Sequence, residues 1–288
     1  MSTSHDSPRE LQHTYIVQDR SNSEELARLQ LQDKLVTAAM GGALPEQPDP
    51  SIFRRLLDVG CGPGGWLIEA AKSYANLSLL VGIDANSKMV AYAREQAQIA
   101  GVSDRVEFHV MDALQMLEFP HNYFDLVNHR SAASWLRTWD WPRLLHEYLR
   151  VCRAGGIIRV TEANFIKESS SPALNQLTDL ALQALHNAGH YFTPQGDGVT
   201  SHIAGLLQRS GIKDVQTRVY TMICYANTPD WQGFFDDARY LFRTMQPFLS
   251  RWTRAPGDYE VLYQQMLIEL QQPDFTGTVE AVTAWGSK

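Results

Sequence analysis

Gly60-Cys61-Gly62-Pro63-Gly64-Gly65 is the stretch whose residue types and spacing point most directly to chemistry. Glycine lacks a Cβ and takes positive φ easily, so such a run turns tightly and brings backbone amides against a ligand. The apolar run 56–59 leads into it, and helical character resumes at Trp66-Leu67-Ile68-Glu69-Ala70-Ala71. Strand, glycine turn and helix in that order put the amides at a helix N-terminus, a favourable place for polar and anionic groups. A P-loop would need Gly-Lys-Ser/Thr after the glycines; Gly65-Trp66 stands there instead and excludes that phosphate cradle. G-x-G-x-x-G is satisfied literally, and Asp84 follows at the distance of a ribose-binding acid, so a dinucleotide stays open on these residues alone.

The elements that must position this turn follow a regular alternation. Residues 77–84, 106–110, 124–127 and 157–161 read as further strands, closed by Asp84 and by Met111-Asp112-Ala113 in the first two cases. Asn86 or Ser87 can cap a helix over 88–100 that stops at Gly101, and Asp140 with Pro142 starts another that ends before Gly155-Gly156. Strands alternating with helices of this length predict βαβ units and a doubly wound parallel sheet. Ligands of such sheets bind at the carboxyl ends of the strands. Those ends carry Asp58 with its glycines, Asp84, Asp112, residues 128–131 and residues 162–164.

Flanking this core, Asn22 and Glu25 have capping-box spacing for a helix that Gly41-Gly42 would end, and residues up to about 12 read as a disordered tail. Residues 172–188 and 200–209 read as helices, 215–225 as a sixth strand, 229–271 as helical and aromatic-rich, and 275–285 as a last strand. The 288 residues are 44% apolar, enough for one large domain, and the net charge of −7 argues against a broad nucleic-acid footprint. Cys61, Cys152 and Cys224 form neither a metal spacing nor a disulfide framework. With no apolar leader and no membrane-length run, a cytoplasmic protein without an integral membrane segment is expected.

Asp58-x-Gly60-x-Gly62-x-Gly64 resembles motif I of the class I S-adenosylmethionine-dependent methyltransferases. Asp84 is similar to the acid closing their second strand, and Met111-Asp112-Ala113 to the segment after their third. Phe124-Asp125-Leu126-Val127 resembles their fourth-strand motif, and residues 149–156 resemble the turn into the fifth. The resemblance implies a seven-stranded sheet of order 3-2-1-4-5-7-6, with strand 7 antiparallel. It also implies S-adenosylmethionine as methyl donor and S-adenosylhomocysteine as product. Asp58 would then stand near the donor's ammonium, Asp84 would accept both ribose hydroxyls, and Asp112 would accept from the adenine amino group beside Ala113. Gly60, Cys61, Gly62, Gly64, Ala85, Met89, Met111, Asn128 and His129 complete the implied donor set.

Thr14-Tyr15-Ile16-Val17 and residues 24–32 resemble the leading segment of the ubiquinone/menaquinone-type small-molecule group, as residues 273–277 and 284–288 resemble its closing strand. This implies a lid over the donor, with Tyr15, Arg28 and Gln32 as contacts. The expected organisation is an N-terminal tail and lid helix (1–50), a donor-binding core (51–164), and remaining strands with a helical acceptor cap (165–288).

Methyl transfer from a sulfonium asks the protein mainly to align the reactants and exclude water, so no invariant catalytic residue marks the acceptor. Asn128-His129-Arg130-Ser131 is unlike the tetrad of amino-methylating nucleic-acid enzymes, and three scattered cysteines do not support arsenic methylation. The expected acceptor is a small aromatic or heterocyclic metabolite, contacted by Tyr191, Trp231 and Phe235, with His129 or His190 as base. A quinone-precursor or lipid-like acceptor is the alternative within the class. A non-catalytic donor-binding or regulatory protein and an NAD-linked oxidoreductase are the alternatives outside it. His186 and His190 lie four apart without an acid in register, so no metal is expected. A monomer or homodimer is expected.

Overall fold

A computed structural model describes residues 15–16, 23–166, 168–254 and 257–288. Five parallel strands build the core: β1 (Arg55–Val59), β2 (Leu79–Asp84), β3 (Val106–Val110), β4 (Phe124–Arg130) and β5 (Cys152–Ala163). They lie in the order 3-2-1-4-5. The chain then adds a two-residue strand β6 (Glu168–Ser169), a long strand β7 (Lys213–Tyr225) and the closing strand β8 (Thr276–Ser287). β8 runs antiparallel between β5 and β7. The order expected from the sequence is therefore observed, with β6 as an eighth, short strand against Gly277 and Thr278 of β8. Two residues carry no periodicity, which is why β6 left no trace in the sequence pattern.

Eight α-helices connect these strands among the described residues: α1 (Ser23–Met40), α2 (Gly65–Ser73), α3 (Ser87–Ile99), α4 (Trp141–Val151), α5 (Pro172–Asn187), α6 (Thr200–Arg209), α7 (Trp231–Trp252) and α8 (Tyr259–Glu269). Their ends follow local chemistry. Gly41 and Gly42 take φ of 85° and 124° and close α1, the Gly42 amide reaching back to the Thr37 carbonyl at 2.9 Å. The Asn86 side chain caps α3 and the Ser171 side chain caps α5. Asn22, Thr14, Val17 and the predicted tail lie outside the described residues.

The sheet is covered on both faces. α2 and α3 bury Trp66, Leu67, Val90 and Ala93 with Leu56, Leu80 and Leu126. On the other face α4 presents Trp141, Leu144, Leu145, Tyr148 and Val151, a helical stripe at most 1% exposed, to Leu57, Val127 and Val160. Each such side chain contributes about 1.5–3 kcal/mol of burial. α5 packs on α7 and α8, and α7 packs on α1. No helix among the described residues is long and apolar enough to cross a membrane.

Candidate functional site

β1, β2, β3 and β4 end at one edge of the sheet, and each delivers a polar group there. Strand register pairs Asp58 with Asn128 and Asn128 with Arg159, so three side chains form a row on one face of β1, β4 and β5. Asn128 Nδ2 donates to Asp58 Oδ1 at 2.7 Å, and Arg159 Nη1 donates to Asn128 Oδ1 at 2.7 Å. Arg159 Nε in turn donates to Glu46 Oε1 at 2.7 Å, and both of these side chains are 0% exposed. Burial pushes the Asp58 carboxyl up to about 7, against the opposing pull of Asn128 and Arg159 and with a smaller push from Asp84.

The glycine turn is built by backbone hydrogen bonds to β2. The Gly60 and Cys61 amides both donate to the Ile83 carbonyl, at 2.8 and 2.9 Å. The Gly62 amide donates to Asp84 Oδ2 at 3.0 Å, and the Asn86 amide donates to Asp84 Oδ1 at 2.7 Å. The carboxylate at the end of β2 thus ties the turn to the start of α3. Gly60, Gly62 and Gly64 all take positive φ, but for different ends. A Cβ at Gly64 would lie 2.6 Å from the Phe108 ring and 2.9 Å from the Ala93 Cβ, so this glycine lets α2 and α3 meet β3 closely. At Gly62 no described atom lies within 4 Å of that position. Gly62 opens onto space beside Asp84, as a backbone that must approach a nucleoside would.

Further along the edge, the Met111 amide donates to the Asp84 carbonyl at 3.0 Å, and Asp112 Oδ1 accepts from the Leu114 amide at 2.9 Å. Asp112 and Met111 are half-buried beside the buried Ala113, Ala85 is exposed, and Met89 packs inward. Burial raises the Cys61 thiol well above its usual range, and its Sγ faces the Gly62 carbonyl at 3.9 Å. Acids at Asp58, Asp84 and Asp112, with an open turn between the first two, fit a ligand carrying an ammonium, vicinal hydroxyls and an amino-substituted ring.

α1 reaches this edge. Arg130, the last residue of β4, donates through Nη1 to Thr37 Oγ1 at 2.9 Å and is ion-paired through Nη2 to Asp33. The Asp33 carboxylate lies against Gly65, the first residue of α2. Arg28 holds Glu25 with two hydrogen bonds of 2.8 Å and reaches Asp237 of α7 at 3.2 Å, while the Tyr15 hydroxyl donates to Glu25 Oε1 at 2.5 Å. Of the residues expected at the donor, Arg28 here joins α1 to α7 and Tyr15 bonds Glu25 of α1, while Gln32 is half-buried on the same helix.

Two expectations need correction. His129, expected at the donor or as a base, is 0% exposed, on the α4 side of β4, with Nδ1 at 2.8 Å from the Tyr148 hydroxyl and Nε2 at 3.4 Å from Glu162 Oε1. His190 is 1% exposed, its Nδ1 at 3.2 Å from the Leu136 carbonyl and its ring against Phe248. Neither ring is open to an acceptor as a base must be, and His186, exposed on α5, does not share a site with His190. Asn128 is likewise fully buried, beside Asp58 on the neighbouring strand. Tyr191 is buried against Phe165, and burial raises its hydroxyl. Half-buried Trp231 and Phe235 stack at 5.5 Å, with Trp231 Nε1 donating to the Leu270 carbonyl.

Asp33, Glu46 and Arg159 were not singled out in the sequence, because each partner lies far away along the chain; Arg130 and Glu162 fall within the strand-end segments 128–131 and 162–164, but their partners carried no signal there. Period-two alternation on β4, which sets Val127 and His129 opposite Asn128, was the available signal for the burial of His129.

Residues 56–156 match a family model described as a methyltransferase domain. The chain is 30% identical over 145 residues to the ajmaline N-methyltransferase of Rauvolfia serpentina, covering 50% of this chain and 47% of that protein. It is 34% identical over 133 residues to the 27-O-demethylrifamycin SV methyltransferase of Amycolatopsis mediterranei, covering 46% of each. The chain thus spans about half the length of these two relatives. The fold of the YcgJ protein of Bacillus subtilis is similar, with a TM-score of 0.55 at 18% identity over 87% of this chain and 98% of that one. Residues 56–156 therefore match a methyltransferase domain, carried on a sheet whose parallel strands lie in the order 3-2-1-4-5.

Proposed function

We propose that this chain moves a methyl group from S-adenosylmethionine to a small, largely apolar acceptor. The observation that carries the reading is the convergence of Asp58, the Gly62 turn, Asp84 and Asp112 on one sheet edge. Asp58 would face the donor's ammonium, Asp84 the ribose hydroxyls and Asp112 the adenine amino group. The donor supplies an activated methyl on sulfur; the protein's part is to hold both reactants in line and keep water away. Burial of the two sequence-nominated histidines leaves no base among them, which suits an acceptor that arrives as its own nucleophile.

Residues 51–164 would serve as donor core, residues 1–50 as lid, and residues 165–288 as strands with an acceptor cap lined by Tyr191, Trp231 and Phe235. Two relatives named for N- and O-linked acceptors support a small-molecule acceptor and leave the atom to experiment. Calorimetric titration with S-adenosylmethionine, S-adenosylhomocysteine and NAD tests the donor. Incubation with a metabolite panel, read by a mass gain of one methyl, tests the transfer. Tight NAD binding with no response to either methionine nucleoside would sink the proposal.

A further inference from the structure

Arg130 and Asp33 form an ion pair whose side chains are only 12% and 16% exposed, inside the edge that holds the donor acids. Arg130 stands two residues beyond Asn128 on β4, hence on the face that carries Asp58. A negative and a positive group on neighbouring strands of one face complement an amino acid's ammonium and carboxylate. Asp33 is itself a carboxylate, and it lies between the Arg130 guanidinium and Gly65, where α2 begins with no side-chain cap. Arg159 is a like-charged neighbour, and burial with that neighbour lowers the Arg130 guanidinium from its ordinary range. Arg130 in this setting is stabilised by a negative partner, and a planar guanidinium suits a carboxylate.

Resting on the donor reading above, we propose that Arg130 recognises the carboxylate of the donor's methionine portion, and that Asp33 of α1 is its built-in competitor. Without donor, Asp33 and Thr37 hold α1 shut across the glycine turn through Arg130. Donor entry exchanges one carboxylate for another and releases α1 from Arg130. No covalent step is involved.

The test is calorimetric titration of the intact chain with S-adenosylhomocysteine and with 5′-methylthioadenosine, which keeps the nucleoside and sulfur but lacks the amino-acid portion. Arg130→Gln should weaken S-adenosylhomocysteine by about ten- to a hundredfold, as for loss of a charged hydrogen bond, and leave methylthioadenosine unchanged. Asp33→Asn should lower the melting temperature yet tighten S-adenosylhomocysteine several-fold, because the binding-competent fraction rises. A merely structural pair would lose stability and affinity together. If Arg130→Gln does not fold, Arg130→Lys, which keeps the charge but not the fork, should give an intermediate loss. Equal weakening of both ligands by the Arg130 variant, or weaker S-adenosylhomocysteine binding in Asp33→Asn, overturns the proposal. Wild-type protein that binds neither ligand overturns the donor reading itself.

Discussion

Burial sets the charge on Asp58, and that charge has consequences for both stability and binding. Its carboxyl is pushed to about 7 in the folded chain, whereas an unfolded aspartate titrates near 4. Between those values the folded state holds a proton that the unfolded state does not, so this residue's contribution to stability falls as pH rises from about 4 to about 7. Asp58→Asn keeps an acceptor for Asn128 and removes the titration. Its unfolding midpoint relative to wild type should therefore climb between pH 4 and pH 7, as measured by urea denaturation at several pH values. An ammonium beside Asp58 favours the ionised form. Donor affinity should weaken as pH drops below about 7, with proton release on binding that calorimetry in buffers of different ionisation enthalpy can count.

At the scale of elements, the glycine turn and α1 respond differently to change. Gly64→Ala puts a left-handed residue, at about 1–2 kcal/mol, against the Phe108 ring, with overpacking of about 1–3 kcal/mol more. It should register in chemical denaturation. Gly62→Ala meets no described neighbour and should cost only the backbone part, while S-adenosylhomocysteine affinity in calorimetry suffers more than stability does. For α1, Arg28→Leu leaves Glu25 buried without its bidentate partner, a loss of about 3–5 kcal/mol for a buried pair. Hydrogen exchange should then quicken along residues 25–40, with little change at α2 and α3, which do not share that pair.

Across the whole molecule, the buried pair Arg159–Glu46 joins residues 113 apart and pins the proline-containing segment 44–51 to β5. Removing one partner, as in Glu46→Ala, should destabilise by about 3–5 kcal/mol, and the double variant with Arg159→Met should recover much of that loss in a denaturation cycle. Such long-range pairs mark the boundary of what the sequence disclosed. The strands of the core, the capped helices, Asp58, Asp84 and Asp112 were legible because each rests on a pattern within about thirty residues, the length of a βαβ unit. Asp33 and Arg130, or Glu46 and Arg159, look like solvated charges until the sheet is folded, since one-dimensional reading has no signal for a partner 97 or 113 residues away. His129 was misplaced for a different reason: proximity to the end of β4 outweighed the alternation that turns it to α4.

That alternation also limits how the chain length can vary. β4 sends Leu126, Asn128 and Arg130 to the site face, and Val127 and His129 to the face packed by Trp141 and Tyr148. Inserting or deleting one residue within β4 would exchange the two faces, driving a guanidinium into an aromatic core and leaving Val127 or His129 opposite Asp58 in place of Asn128. The same change around His121, in the exposed loop before the strand, leaves the pairing untouched. Indels should therefore be accepted at that loop and rejected throughout β4, however mild the residue added.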